Sequence, residues 1–78
     1  MLNMENFGRR IAELRRQLGL TQREIAVLVG VSTQAVSKWE RGLSCPDMML
    51  LDELASALGV KIADLFIDQE NKEELHGF

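Results

Sequence analysis

Hydrogen-bonding side chains that carry no negative charge recur at helical spacing between residues 33 and 41. Gln34, Ser37, Lys38 and Arg41 stand at i, i+3, i+4 and i+7, and Thr33 lies beside the first of them. We call these five residues the polar stripe, because this spacing places them on one face of a helix. A Gln amide can pair with adenine, a Lys ammonium can reach guanine or phosphate, and a Thr methyl can contact thymine. A merely solvated helix face usually mixes Glu with Lys, so the polar stripe indicates contact with a nucleic acid.

Two short helices joined by a turn must position the polar stripe. Thr21 and Glu24 form a capping-box pattern that starts one helix, which we predict over about 22–29. Gly30 permits the left-handed backbone of a tight turn, and Ser32 can cap the second helix, which ends at Gly42. Apolar residues recur on the inward side of both helices: Ile25, Ala26, Leu28 and Val29 in the first, Val36 and Trp39 in the second. Residues 21–42 therefore predict a helix-turn-helix.

Charge is distributed unevenly along the chain. The net charge is −3, but residues 1–42 hold seven basic and four acidic residues, whereas residues 43–78 hold two basic and eight acidic ones. The first part is therefore at +3 and the second at −6. Because salt screens surface charges beyond about 8 Å, the positive part can face an anionic partner while the acidic part points away. A scatter of solvated charges without functional meaning is the alternative.

Three further helices are expected around the motif. Phe7, Ile11, Leu14 and Leu18 recur at helical spacing and predict a first helix over about 4–18, with these four residues in the core. A fourth helix, capped by Asp47 or Cys45 and ended by Gly59, would bury its apolar side. That side consists of Met49, Leu50, Leu51, Leu54, Ala55 and Leu58. A short fifth helix over about 62–66 would close the core with Ile62, Leu65 and Phe66. The predicted fold is all-α, a compact five-helix bundle over residues 1–67, followed by an acidic polar tail over residues 68–78.

Several classes of protein are excluded by composition. The chain has 78 residues and is 46% hydrophobic, which suffices for one small core. No apolar run approaches the roughly 18 residues of a membrane span, and the N-terminal sequence is unlike a signal peptide, so a cytoplasmic protein is expected. Cys45 is the only cysteine and His76 the only histidine, which cannot make a structural zinc site. We predict no metal, cofactor or small-molecule ligand, and no enzyme, because no nucleophile–base set or carboxylate pair occurs at useful spacing.

One acidic residue of the second motif helix needs a partner. Glu40 follows Val36 by one helical turn and so lies near the inward face, where an unpaired carboxylate is costly. Arg15, one turn after Ile11 on the flank of the first helix, is the best-placed cation. We predict a largely buried ion pair between Arg15 and Glu40 that fixes the second motif helix against the first helix of the chain.

Together these residues resemble the helix-turn-helix repressor domain of the phage repressor and Cro type (XRE-like), which also occurs in many small bacterial regulators. The matching residues are Gln22, Ala26, Gly30, Val36, Trp39, Glu40 and Gly42, followed by Pro46-Asp47 and by ELASALGV at residues 53–60. The similarity extends over roughly residues 5–67. It implies a lambda-repressor-like DNA-binding fold and the same Arg15–Glu40 pair.

The resemblance also implies which side chains contact double-stranded DNA. Gln22 would bind a phosphate at the start of the first motif helix, and Thr33, Gln34, Ser37 and Lys38 would face bases in the major groove. Further phosphate contacts are predicted at Arg23, Trp39, Arg41 and Ser44, although Trp39 also fits a core position. Residues 43–46 contain no Lys or Arg, where phage members often place cations, so weaker binding is expected.

The function implied is sequence-specific transcriptional regulation, most simply repression. One small face gives modest affinity, so we expect a homodimer on a near-palindromic operator with half-sites about 34 Å apart. The family commonly pairs through its C-terminal region, and the corresponding candidates are Ile62, Leu65, Phe66 and Ile67, which could equally seal the core. The alternative is a protein-interaction module, such as an antitoxin or antirepressor, that docks through its acidic half.

Overall fold

The computed structural model describes residues 3–66, so Ile67 and the tail over residues 68–78 lie outside the described part of the chain. Within it the elements are α1 (Met4–Gln17), α2 (Gln22–Val29), α3 (Thr33–Glu40), α4 (Met48–Leu58) and a 3-10 helix (Ile62–Phe66). All the regular secondary structure of the described residues is therefore helical, as predicted. The fifth predicted helix is a 3-10 helix, so these residues form four α-helices rather than five.

Helix α1 begins one residue after its polar cap, Asn3, and ends two residues before Gly19. Asn3 caps it, since its Oδ1 accepts hydrogen bonds from Glu5 N at 2.9 Å and Asn6 N at 3.1 Å. At the other end Leu18 is the C-cap and Gly19 follows with φ of 71°. The prediction that Leu18 lies in the core is wrong, because the helix has already ended there and the side chain is 52% exposed.

The helix-turn-helix forms with the caps that its sequence predicts, although α3 ends at Glu40, two residues before Gly42, with Arg41 as its C-cap. Thr21 and Glu24 make the complete capping box, with Glu24 N donating to Thr21 Oγ1 at 3.0 Å and Thr21 N donating to Glu24 Oε1 at 2.9 Å. Gly30 adopts the left-handed conformation with φ of 82° between α2 and α3. Ser32 then caps α3 by accepting a hydrogen bond from Ala35 N at 3.1 Å.

One apolar residue of α2 was placed on the wrong side by its spacing. Leu28 is 57% exposed, whereas Ile25, Ala26 and Val29 are buried. Positions i, i+1 and i+4 therefore face inward, and Leu28 lies on the flank where no neighbouring helix covers it. The same error affects α4, where Met49 is 82% exposed although Leu50 and Leu51 beside it pack against the core.

A single core joins all the described elements. It contains Phe7, Ile11, Leu14, Ile25, Ala26, Val29, Val36, Trp39, Leu54, Ala55, Leu58 and Leu65. Of the 3-10 helix, Leu65 is completely buried, while the Phe66 ring stacks on Phe7 with centroids 5.3 Å apart. Ile62 was predicted to close the core but lies half-exposed at its edge.

The helices are arranged so that α3 and α4 have different neighbours. Helix α3 packs mainly against α1 and α2, whereas α4 packs against α2 and the 3-10 helix. Helices α3 and α4 thus make few contacts with each other. Helix α4 carries Asp52 and Glu53 and no Lys or Arg. Among residues 3–66, no helix has the length and apolar character needed to cross a membrane.

Candidate nucleic-acid interface

The outer face of α3 presents most of the polar stripe to solvent. Gln34, Lys38 and Arg41 are exposed, and Thr33 and Ser37 are half-buried. On the opposite side of the helix, Val36 and Trp39 are buried in the core. The stripe residues are therefore accessible to a partner.

Arg41 continues α3 as its C-cap residue. Its Nε donates to the backbone oxygen of Ser37 at 3.3 Å, which holds the guanidinium beside the last turn of the helix. A cation at this end is favoured by the helix dipole, and it remains near the surface where a phosphate could approach.

An ion pair fixes the end of α3 to α1. Arg15 Nε lies 2.6 Å from Glu40 Oε2, and Arg15 Nη2 donates to Glu40 Oε1 at 3.0 Å. The two side chains are 12% and 7% exposed. The hydrogen bond with Glu40 raises the pKa of Arg15, while desolvation opposes it. Arg15 Nη1 also donates to Leu20 O at 2.9 Å, so one guanidinium ties α1, the α1–α2 loop and α3 together.

The side chain predicted to grip a phosphate from α2 belongs to the same network. Gln22 Nε2 donates to Glu40 Oε1 at 2.9 Å, and the Gln22 side chain is half-buried. A primary amide has two N–H donors, so this bond leaves the Gln22 amide with a second donor for another acceptor. The bond also sets the position of the amide relative to α3. Sequence reasoning missed this contact, because it depends on how closely α2 and α3 cross.

Two backbone N–H groups at the start of α2, those of Thr21 and Glu24, already donate hydrogen bonds within the capping box. The hydrogen bond from the Thr21 backbone, followed by that from the Thr21 side chain, lowers the pKa of Glu24. The Glu24 carboxylate thus already lies at the positive end of the helix dipole. A phosphate at this end would therefore depend on the Gln22 amide more than on the helix terminus itself.

The other predicted phosphate contacts differ in exposure. Arg23 is exposed and Ser44 is half-buried in the loop after α3. Trp39 is buried in the core, which agrees with its interpretation as a packing residue. Of the dimer candidates, Ile62 and Phe66 are partly exposed, whereas Leu65 is covered by its own chain and seals the core. Ile67 lies outside the described residues.

A glycine that sequence reasoning did not single out also positions α3. Gly8 of α1 is buried, and a Cβ built on it would lie 2.4 Å from Trp39 O and 2.5 Å from Glu40 O. The backbone of α1 therefore passes directly against the last carbonyl groups of α3. Only a residue without a side chain permits this approach.

Residues 11–65 match the family described as helix-turn-helix, HTH_3. The chain belongs to this family of DNA-binding transcriptional regulators, so the XRE-like resemblance is confirmed.

Relatives agree with this assignment. The uncharacterized HTH-type transcriptional regulator y4dJ of Sinorhizobium fredii is 47% identical over 58 residues, which cover 74% of this chain and 75% of the relative. The restriction-modification controller protein C.AhdI from Aeromonas hydrophila superposes with a TM-score of 0.78 at 35% identity, over 81% of this chain and 96% of that one. The P22 c2 repressor protein, in complex with a synthetic operator, gives a TM-score of 0.75 at 35% identity, over 77% and 91%. These relatives are regulatory proteins, which supports the prediction that the chain is not an enzyme.

Proposed function

We propose that this protein is a sequence-specific repressor that reads the major groove of double-stranded DNA with α3. The observation that carries the proposal is the exposed outer face of α3, where Gln34 and Lys38 are open to solvent and no stripe position holds an acidic residue. Thr33 and Ser37 complete the base-facing set. A helix fits into a major groove about 12 Å wide, where such side chains meet distinct donor and acceptor patterns.

Phosphate contacts would hold α3 in register with the bases. Gln22, fixed by its bond to Glu40, would bind the backbone on one side, and Arg23, Arg41 and Ser44 would add contacts around it. These groups carry no sequence information and position the helix instead. Because residues 43–46 contain no cation, the total number of phosphate contacts is expected to be small.

A homodimer on a near-palindromic operator would supply the affinity that one face lacks. Two bound copies of α3 would lie about 34 Å apart, one helical turn of DNA. The partly exposed Ile62 and Phe66 are candidate contacts between the two copies. The likeness to the P22 c2 repressor bound to a synthetic operator supports both the DNA partner and the repressor role.

Selection of bound duplexes from a random pool, followed by two substitutions, tests the assigned roles. We expect Gln34→Ala to relax the preference at one base pair per half-site by about 1–3 kcal/mol, because a bidentate base contact is lost. Gln22→Ala should weaken all sequences alike, since a phosphate contact carries no base preference. The reverse pattern would overturn these assignments, and thermal melts of both variants control for folding.

A salt titration separates DNA binding from the alternative of a protein-interaction module. Binding to duplex that weakens steeply with rising salt indicates neutralised phosphates. A protein complex that ignores DNA and is lost when residues 68–78 are removed would instead favour docking through the acidic half.

A further inference from the structure

A groove of about 360 Å³ is lined by residues of α1 and of the α3 segment, on the side where Gln22 lies. Its lining includes Arg9, Glu13 and Arg16 from α1 and Ser37 and Arg41 from the α3 segment, together with Gln22. We call it the α1 groove. The α1 groove therefore places side chains of α1, the start of α2 and the polar stripe on one surface.

The lining of the α1 groove carries an excess of positive charge. Arg9, Arg16 and Arg41 contribute three guanidinium groups, against the carboxylates of Glu13 and Glu40. Arg15 already neutralises Glu40 through the bidentate ion pair. With Glu40 neutralised by Arg15, the three arginines and Glu13 leave the groove with a net charge of about +2, which favours binding of an anion.

The cations of α1 are spread along the groove rather than gathered at one point. Arg9 and Arg16 are seven residues apart, which is about 10 Å along a helix axis. Arg9 donates to Asn6 Oδ1 on its own helix, so its guanidinium is held near the helix surface. Arg10 serves a different purpose, since its Nε donates to Asp64 O at 3.0 Å and ties α1 to the 3-10 helix. An extended anion suits Arg9 and Arg16 better than a compact one.

The position of the groove relative to α3 identifies that anion. A helix in the major groove has one sugar-phosphate backbone on each flank. Helix α1 packs beside α3, so the strand on that flank would pass over the α1 groove. Guanidinium groups match phosphate oxygens bidentately, and Gln22 and Ser37 add hydrogen-bonding groups at the same place.

We propose that the α1 groove binds backbone phosphates of the DNA strand that flanks α3, with Arg9 and Arg16 as phosphate contacts supplied by α1. This inference rests on the proposed function. It extends the DNA-binding surface beyond the helix-turn-helix to the first helix of the chain, and it compensates for the absence of cations in residues 43–46.

Salt titrations with a mixed-sequence duplex of about 30 base pairs test this proposal, because non-specific binding reports phosphate contacts. We expect Arg16→Gln, and likewise Arg9→Gln, to weaken binding several-fold and to reduce the slope of log K against log salt by about 1 per bound chain. The matched control is Lys61→Gln, which removes the same charge from an exposed position at the start of the 3-10 helix. Lys61→Gln should leave the slope unchanged.

The outcomes separate the two proposals. If the full chain shows no salt-dependent affinity for duplex, the proposed function fails and the α1 groove proposal falls with it. If the unsubstituted chain binds duplex but both arginine variants behave like Lys61→Gln, only the α1 groove proposal is overturned. Arg16→Lys should keep the slope and lose part of the affinity, because it keeps the charge without the bidentate fork.

Discussion

Replacing Gly8 by alanine is expected to lower the free energy of unfolding by about 3 kcal/mol, the upper part of the range for overpacking. Helix propensity alone predicts the opposite, a gain of about 1 kcal/mol for alanine in a helix interior. The added Cβ would meet Trp39 O at 2.4 Å, Glu40 O at 2.5 Å and Glu40 C at 2.8 Å. All three are backbone atoms, so α1 and the end of α3 must separate to admit it.

Thermal unfolding measures this effect directly, since about 1 kcal/mol shifts the Tm of a domain this size by about 4–8 °C. Gly19→Ala is a suitable comparison, because Gly19 has a φ of 71° but a Cβ added there would meet no atom within 4 Å. It should lose only about 1–2 kcal/mol, from backbone strain. A Gly8→Ala protein as stable as the parent would show that α1 and α3 are not in close contact.

Replacing Glu40 by alanine has the second large expected effect, a loss of about 3 kcal/mol or more. The substitution leaves the Arg15 guanidinium, whose side chain is 12% exposed, without its counter-ion. It also removes the acceptor that holds the Gln22 amide at 2.9 Å. Removing one partner of a buried pair is costly because the remaining charge stays desolvated.

Chemical denaturation of Glu40→Ala, Arg15→Ala and the double variant measures the coupling between the two side chains. We expect the double variant to be much less destabilised than the sum of the single ones, since neither charge is then left alone. Glu53→Ala, at an exposed position on α4, serves as the control and should change stability by less than about 0.5 kcal/mol. A Glu40→Ala denaturation curve indistinguishable from that of the parent would reject the structural role of the pair.

Local signals in the sequence predict the helix-turn-helix well, because each acts within a few residues. The Thr21 and Glu24 cap needs only its own backbone, and the left-handed turn at Gly30 follows from the absence of a Cβ. Helix α2 accordingly has the predicted bounds, Gln22–Val29. The ion pair could also be predicted from the sequence, since an inward-facing Glu40 requires a cation from a neighbouring helix.

Features that depend on how the helices are placed relative to one another were harder to predict from the sequence. Apolar spacing defines a stripe, but the neighbouring helices decide which edge of it is covered, and Leu28 and Met49 are exposed for that reason. In the sequence Gly8 is only a residue of low helix propensity, and its role appears once α3 is packed against it. The bond from Gln22 to Glu40 likewise appears only when α2 and α3 cross. Arg9, Glu13 and Arg16 stand at i, i+4 and i+7, so the sequence already indicates that they share the face of α1 that lines the α1 groove.

Backbone amide chemical shifts, recorded while a selected duplex is added to the protein, test most directly whether α3 enters the major groove. The largest changes should occur at Thr33, Gln34 and Lys38 and at the start of α2, with α4 nearly unaffected around Asp52. Changes confined to α4 and the 3-10 helix, with α3 unperturbed, would contradict recognition through the polar stripe.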